Sequence, residues 1–292
     1  MRLPFTTLAA LLPVLTPLAT AQLHHYATLA GLKYFGAATD TPGQRERAGY
    51  EVSYAQYDAI FSDPSEFGQT TRTNGQKWLF TEPSPGVFNF TEGDIVVSLA
   101  AKTGKLLRCH ALVWHSQLAP WVEAKNETEW TKEELSAVIV RHIRGVMGHY
   151  KGQSIFYKVL GEEFIRLAFK TAAEVDPGAK LYYNDYGIER PTSIKTEGVR
   201  KLVKMLRDAD LRIDGVGMGY VQAGAKEVAF TELDKVARAC VKVKECVGIT
   251  LWDFYDPFSW IPYTFPGKGA GLLWFEDFGK HPAYQGIIYR DV

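Results

Sequence analysis

Along most of the chain, short apolar runs rich in β-forming residues alternate with longer stretches whose apolar positions recur every three to four residues, the order that a parallel sheet with crossover helices produces. The short runs predict strands over residues 34–40, 70–78, 106–114, 180–186, 215–220, 227–234 and 248–254. The longer stretches predict helices over 50–60, 94–103, 132–149, 157–175, 193–209 and 235–245. Polar, ionisable or aromatic residues stand at the carboxyl ends of most strands: Asp40, Lys77 and Trp78, His110 and Trp114, Asn184 and Asp185, Glu232, and Trp252. In barrels of alternating strands and helices, chemistry collects at that end. No internal repeat or linker divides the chain, so residues 22–292 read as one domain.

Two places interrupt the alternation. The helix over 132–149 runs through Gln153-Ser154-Ile155-Phe156 into the one over 157–175, with no room for a strand between them. Between the strands ending at 220 and beginning at 227 lie only residues 221–226, whereas a parallel crossover needs about a dozen. The pattern predicts an α/β barrel of eight repeats in which the fourth strand and the crossover after the sixth strand are missing or shortened, leaving an open seam.

Residues 1–21 carry Arg2, an apolar stretch over 8–18 broken by Pro13 and Pro17, and a closing Ala19-Thr20-Ala21, the pattern of a secretory signal peptide with an A-x-A cleavage site. No later stretch approaches the roughly 20 apolar residues of a membrane helix, so a secreted, extracellular protein is expected. Asn89-Phe90-Thr91 and Asn126-Glu127-Thr128 are N-glycosylation acceptors. Cys240 and Cys246 lie close enough in sequence to permit one local bridge in an oxidising compartment, and Cys109 remains as a buried thiol on a strand.

Lys plus Arg and Asp plus Glu both total 33, so no net field gathers nucleic acid or an anionic membrane, and neither is an expected partner. His and Cys show no metal-ligand spacing, and no Gly-rich phosphate loop follows a strand, so neither metal nor cofactor is expected. Aromatic residues make up 13% of the chain, more than its core needs, which leaves rings for exposed stacking surfaces.

Within Thr231-Glu232-Leu233-Asp234 a carboxylate ends the apolar run Val228-Ala229-Phe230, and a buried strand-end Glu is paired, hydrogen-bonded or functional. Taken singly, Trp114 and Trp252 read as core, His110 as a satisfied buried histidine and Lys77 as a snorkelling side chain. Five segments in order change that reading: Asn74-Gly75-Gln76-Lys77-Trp78, residues 107–117 with Cys109-His110 and Trp114-His115-Ser116-Gln117, Lys180-Leu181-Tyr182-Tyr183-Asn184-Asp185-Tyr186, Thr231-Glu232-Leu233-Asp234, and Cys246-Val247-Gly248-Ile249-Thr250-Leu251-Trp252. Together they resemble the family 10 glycoside hydrolases, the endo-1,4-β-xylanases of (β/α)8 TIM-barrel fold.

The resemblance implies hydrolysis of xylan with retention of configuration by a monomer that needs no cofactor. Glu232 matches the nucleophile. Asn74, Lys77, His110, Trp114 and Gln117 match residues around the bond that is cut; Asn184 joins them as a substrate-binding candidate, and Trp252 and Trp260 match aromatic walls of the cleft. Cys240 and Cys246 match a bridge common in fungal members. These types suit a neutral sugar, whose CH faces stack on indoles and whose hydroxyls pair with Lys, His, Asn and Gln.

The chain also departs from the pattern. A retaining glycosidase uses two carboxyls about 5 to 5.5 Å apart, one attacking and one donating a proton. The family's Trp-Asp-Val-Val-Asn-Glu segment, which ends the fourth strand and carries the acid/base Glu, has no match here. The Gln-x-His pair after the sixth strand is likewise missing. Glu82, Glu162, Glu163, Asp185 and Asp253 are the acids from which a substitute would come, with Glu162 and Glu163 expected inside a helix. The alternative is a secreted, non-catalytic xylan-binding protein.

Overall fold

The structure, a computed structural model, describes residues 22–39, 55–125, 129–153, 156–159, 164–188, 192–219, 229–267, 269 and 271–288. The expected signal peptide and the sequon at Asn126 lie outside them. Seven strands form one parallel sheet: β1 (Tyr34–Thr39), β2 (Gln69–Arg72), β3 (Leu106–Val113), β4 (Phe156–Val159), β5 (Lys180–Tyr186), β6 (Gly215–Gly219) and β7 (Gly248–Trp252). The helices are α1 (Leu23–Leu29), α2 (Ala55–Ser62), α3 (Trp78–Thr81), α4 (Thr91–Thr103), α5 (Pro120–Glu123), α6 (Lys132–His149), α7 (Ile165–Val175), α8 (Ile194–Asp208), α9 (Ala229–Lys242), α10 (Ile261–Thr264) and α11 (Pro282–Ile288).

Local chemistry sets several of these bounds. Thr131 and Glu134 form a reciprocal capping box at the start of α6, each bond 3.1 Å long, so two orphan backbone donors are satisfied. Ser193 takes the Thr196 N–H at 3.0 Å and opens α8. Gly104 closes α4 at φ +68°, a conformation that a side chain would disfavour.

The strands lie in the order β6-β5-β4-β3-β2-β1-β7. One face of the sheet is covered by helices, where Leu107, Cys109 and Leu181 pack with Val96 of α4, Ile143 and Met147 of α6 and Phe169 of α7. A second cluster joins β1 and β7 to α1, α2 and α11 through Phe35, Tyr57, Phe61, Phe67, Phe254, Trp274 and Tyr284. Each fully buried large side chain contributes roughly 1.5–3 kcal/mol.

The opposite face forms the barrel interior. Thr250 on β7 donates to Gln69 Oε1 on β2 at 2.8 Å, over the intervening β1, and Gln69 Nε2 donates to Thr71 at 2.8 Å. The crossing is open because β1 carries Gly36 there; a Cβ at that position would stand 2.3 Å from Gln69 Oε1. The fold is the (β/α)8 barrel that the sequence leads one to expect, with seven of its strands among the described residues.

Its incompleteness is placed differently. The fourth strand, expected to be missing or shortened, is present as four residues: β4 pairs with β3 (Arg108↔Phe156) and with β5 (Phe156↔Lys180). Residues 156–159, expected mostly as helix, extend because Phe-Tyr-Lys-Val suits a strand and the facing edges of β3 and β5 would otherwise hold unpaired backbone groups. Helix α7 accordingly begins at Ile165 rather than at 157. After β6 the reverse holds. The strand expected over 227–234 is not formed; residues 229–234 open α9, and among the described residues no strand lies between β6 and β7. In the sequence, apolar residues recur at 230, 233, 237 and 240, a helical spacing that the neighbouring Val228-Ala229-Phe230 run masks. β2 is shorter than expected, ending at Arg72, because Asn74 O accepts the Lys77 N–H at 2.8 Å and turns the chain into α3.

Candidate active site

The turn after β2 and the segment after β3 converge on one lysine. Lys77 is buried, and its ammonium donates to Asn74 Oδ1 at 2.8 Å and to Gln117 Oε1. Gln117 Nε2 donates to the same Asn74 oxygen at 3.2 Å. The ammonium also stands 4.5 Å from the centroid of the Trp114 ring. Gln117 is held at φ +53°, an uncommon conformation for a side-chain-bearing residue, while its backbone carbonyl accepts from Leu79 at 3.0 Å. Asn74, Lys77, Trp114 and Gln117 are thus brought together by two neighbouring strands.

His110, buried on β3, bridges this group to β7. Its ring meets Trp252 edge-on at 4.6 Å and lies 6.4 Å from Trp114. The His110–Ala111 peptide is cis. Gln76, buried beneath, accepts the His110 N–H at 3.3 Å and donates to Cys109 Sγ at 3.4 Å, so the thiol faces the helix layer beside an amide. Farther round, Asn184 on β5 accepts from Arg108 Nη2 at 2.6 Å across a gap kept clear by Gly217 on β6. Desolvation lowers the Arg108 pKa, with the Tyr34 and Tyr182 phenols acting the other way. Trp260 at the start of α10 is 37% exposed and lies against Phe265 at 5.9 Å.

Glu232 falls in the first turns of α9 rather than at a strand end, and its side chain lies outside the described residues. Cys240 and Cys246 form the expected disulfide, with Cα atoms 5.3 Å apart, joining the end of α9 to the approach to β7. Among the described residues no group of three or more His, Cys, Asp or Glu could hold a metal.

Three of the five acids that could substitute as proton donor are already engaged. Glu82 is fully buried and accepts from Gly86 N at 2.8 Å, Arg141 Nε at 2.9 Å and His142 Nδ1 at 3.0 Å. Burial alone would raise its pKa, but the hydrogen bonds from His142, Gly86 and Arg141 outweigh that and hold it low. Asp185 pairs with Lys195 at 2.8 Å, and Asp253 Oδ1 accepts from Phe254 N at 2.7 Å. Glu162 and Glu163, between β4 and α7, lie outside the described residues. His142, stacked on Trp78 at 3.8 Å, His149 on Asp94 at 2.7 Å and His281 on Ala283 N at 3.0 Å have structural partners.

Gln76 and Arg108 support the site yet were not singled out from sequence as cleft-building residues. Gln76 was legible as a neighbour of Lys77, whereas the contact of Arg108 with Asn184 joins distant strands.

A strand-end cluster of amides, a lysine, a histidine and indoles stands where (β/α)8 barrels carry their chemistry. A sequence profile described as glycosyl hydrolase family 10 matches residues 22–159, 152–228 and 221–290, and the chain belongs to that family. Endo-1,4-beta-xylanase A of Humicola insolens is 57% identical, the match covering 90% of this chain and 84% of that protein. Endo-1,4-beta-xylanase D of Talaromyces funiculosus is 38% identical over 92% of this chain and 77% of its own. Among solved structures, Penicillium canescens endo-1,4-beta-xylanase XylE superposes with a TM-score of 0.81 at 29% identity, covering 91% of this chain and 96% of the other. A family 10 xylanase from Bispora sp. MEY-1, solved with xylobiose, gives 0.79 at 29% identity, covering 91% and 99%.

The profile matches join at 152–159 and 221–228, where the sequence pattern is interrupted. The alignment to the Humicola insolens enzyme runs over 321 positions, more than the 292 residues of the whole chain, so that relative carries internal residues with no counterpart here.

Proposed function

We propose that this chain is a secreted, monomeric endo-1,4-β-xylanase-type glycoside hydrolase that grips xylan through Asn74, Lys77, His110, Trp114, Gln117, Asn184, Trp252 and Trp260. Glu232 is its nucleophile, and its turnover of xylan is slow. The observation that carries this reading is the Lys77 cluster: one buried ammonium fixed by two amides and an indole at the strand ends, a preformed set of donors and a flat face for a neutral sugar. Asn89 is exposed and suits a glycan, as a secreted protein would carry.

In the retaining reaction Glu232 attacks the anomeric carbon, the glycosidic C–O bond breaks, and the departing oxygen takes a proton from a second carboxyl. Water then hydrolyses the glycosyl-enzyme. Among the described residues the candidate acids Glu82, Asp185 and Asp253 are committed elsewhere, which supports departure from xylan without ready protonation, at a cost of roughly 10²–10⁴ in rate. An aryl xylobioside whose phenolate leaves unprotonated escapes that cost.

Purified protein is therefore expected to bind xylotetraose saturably, to release nitrophenolate from nitrophenyl xylobioside, and to release few reducing ends from xylan. Glu232→Gln is expected to abolish the nitrophenolate signal while leaving binding intact. Absence of saturable binding, or nitrophenolate release undiminished in Glu232→Gln, overturns the proposal. The helical backbone at Glu232 favours a second reading, a xylan-binding protein without turnover. Binding with no Glu232-dependent release of nitrophenolate selects it.

A further inference from the structure

We propose that Asp253 is a positioning residue that sets the angle at which Trp252 enters the cleft, acting through a link to Tyr57 and Thr39. Trp252 ends β7 opposite Ala38, and the next residue continues the ladder for one bond, Asp253 N donating to Ala38 O at 3.1 Å. There the backbone turns sharply. Asp253 sits at φ +66° and is only 2% exposed. A left-handed conformation costs about 1–2 kcal/mol for most residues with a Cβ, glycine adopts it without that cost, and Asp and Asn are the short polar side chains that tolerate it. The turn therefore admits Gly, Asn or Asp, and does not by itself select the carboxylate.

The contacts of the carboxylate do. Asp253 Oδ1 accepts from Phe254 N at 2.7 Å, Tyr255 N at 3.2 Å and the Tyr57 hydroxyl at 3.2 Å. Tyr57 OH lies 2.9 Å from Thr39 Oγ1 at the end of β1, and its ring stacks on Phe254 at 4.4 Å. One buried carboxylate thus ties the residue after Trp252 to α2 and to the neighbouring strand end. A buried charge persists only when hydrogen-bonded in this way. With Asp253 pinned, the Trp252 indole leaves the strand in one direction, edge-on to His110 at 4.6 Å.

The proposal rests on Trp252 being a sugar wall, so its test includes a readout that needs no sugar. In the full chain, the near-ultraviolet circular dichroism of Trp252 is taken as the difference between wild type and Trp252→Phe. Asp253→Gly keeps the left-handed turn and loses the carboxylate; Asp253→Asn tolerates the turn and keeps an acceptor. Asp253→Gly is expected to erase the Trp252 signature and weaken xylotetraose binding about tenfold, and Asp253→Asn to restore both to within about threefold. In a Trp252→Ala background, Asp253→Gly is expected to change affinity less than about twofold while still lowering Tm, the non-additivity that marks action through Trp252. An unchanged signature in Asp253→Gly, or an equal loss of affinity in both backgrounds, overturns the proposal. Failure of the wild type to bind xylotetraose overturns the sugar reading alone, because the dichroism still tests the geometry.

Discussion

The arc formed by β7, β1, β2 and β3 and the arc formed by β4, β5 and β6 hold their functional residues in different ways. In the first, Asn74, Lys77, Trp114, Gln117, His110 and Trp252 contact one another directly, and the barrel interior beneath is crossed by the Thr250–Gln69–Thr71 bonds. In the second, a four-residue β4 fills the fourth position, and the strand expected after β6 is replaced by the opening of α9. The Lys77 cluster, the proposed sugar grip, needs only neighbouring strands and the turns between them, so it forms independently of the more distant strands. A carboxylate pair about 5.5 Å apart needs two separate strand ends brought to one point, so it depends on every strand between them.

The sharpest contrast between the arcs is in packing. Phe254→Ala, in the aromatic cluster behind β7, is expected to cost about 3–5 kcal/mol, whereas Met218→Ala on β6, 68% exposed, should change stability by no more than about 0.5 kcal/mol. Urea unfolding of both variants checks this, and similar losses would erase the distinction.

Next in size is the grip. Lys77→Met removes the shared donor of Asn74 and Gln117, and xylotetraose affinity measured by calorimetry should fall by about 1.5–3 kcal/mol, the worth of hydrogen bonds to a charged group. Arg108→Met, one strand farther toward β5, should weaken binding less, because it acts through Asn184 alone.

Joining the arcs behind β7, the Cys240–Cys246 bridge closes a short loop across a sequence separation of 6, and its replacement by two serines should cost about 2 kcal/mol in unfolding experiments without reductant. Reductant should remove the difference between the two proteins.

The smallest expected effect concerns pH. Burial holds His142 below its ordinary value of 6.5, partly opposed by Glu82, and Glu82 lies below 4.5. Both folded values are depressed, so the unfolded chain binds more protons as pH falls. Stability tied to His142 is present above about 6.5 and is lost as pH drops through that value toward its folded pKa; the part tied to Glu82 is lost only below about 4.5. His142→Gln should flatten the Tm profile just below pH 6.5 and leave the steeper acid limb below about 4.5, as scanning calorimetry would report.

Legibility followed the range over which each feature is decided. Helix α6 begins and ends at the predicted residues, because its capping box and apolar stripe are written within one stretch of sequence. The Cys240–Cys246 bridge was within reach for the same reason, six residues of separation. The Lys77 cluster was half legible: Asn74 and Lys77 share a turn, but their bonding to Gln117 rests on the pairing of β2 with β3.

The chain by itself determined an alternating α/β barrel, its strand-end lysine, histidine and indoles, and two interruptions, because periodicity and turn chemistry are local. Only the tertiary structure decided that 156–159 extends into β4, since β3 and β5 supply the backbone partners that make it a strand. It alone decided that α9 begins at Ala229, and that Asp253 is bound from α2 and β1 as well as from its own turn, because hydrogen-bond partners far apart in sequence meet only when the sheet is assembled.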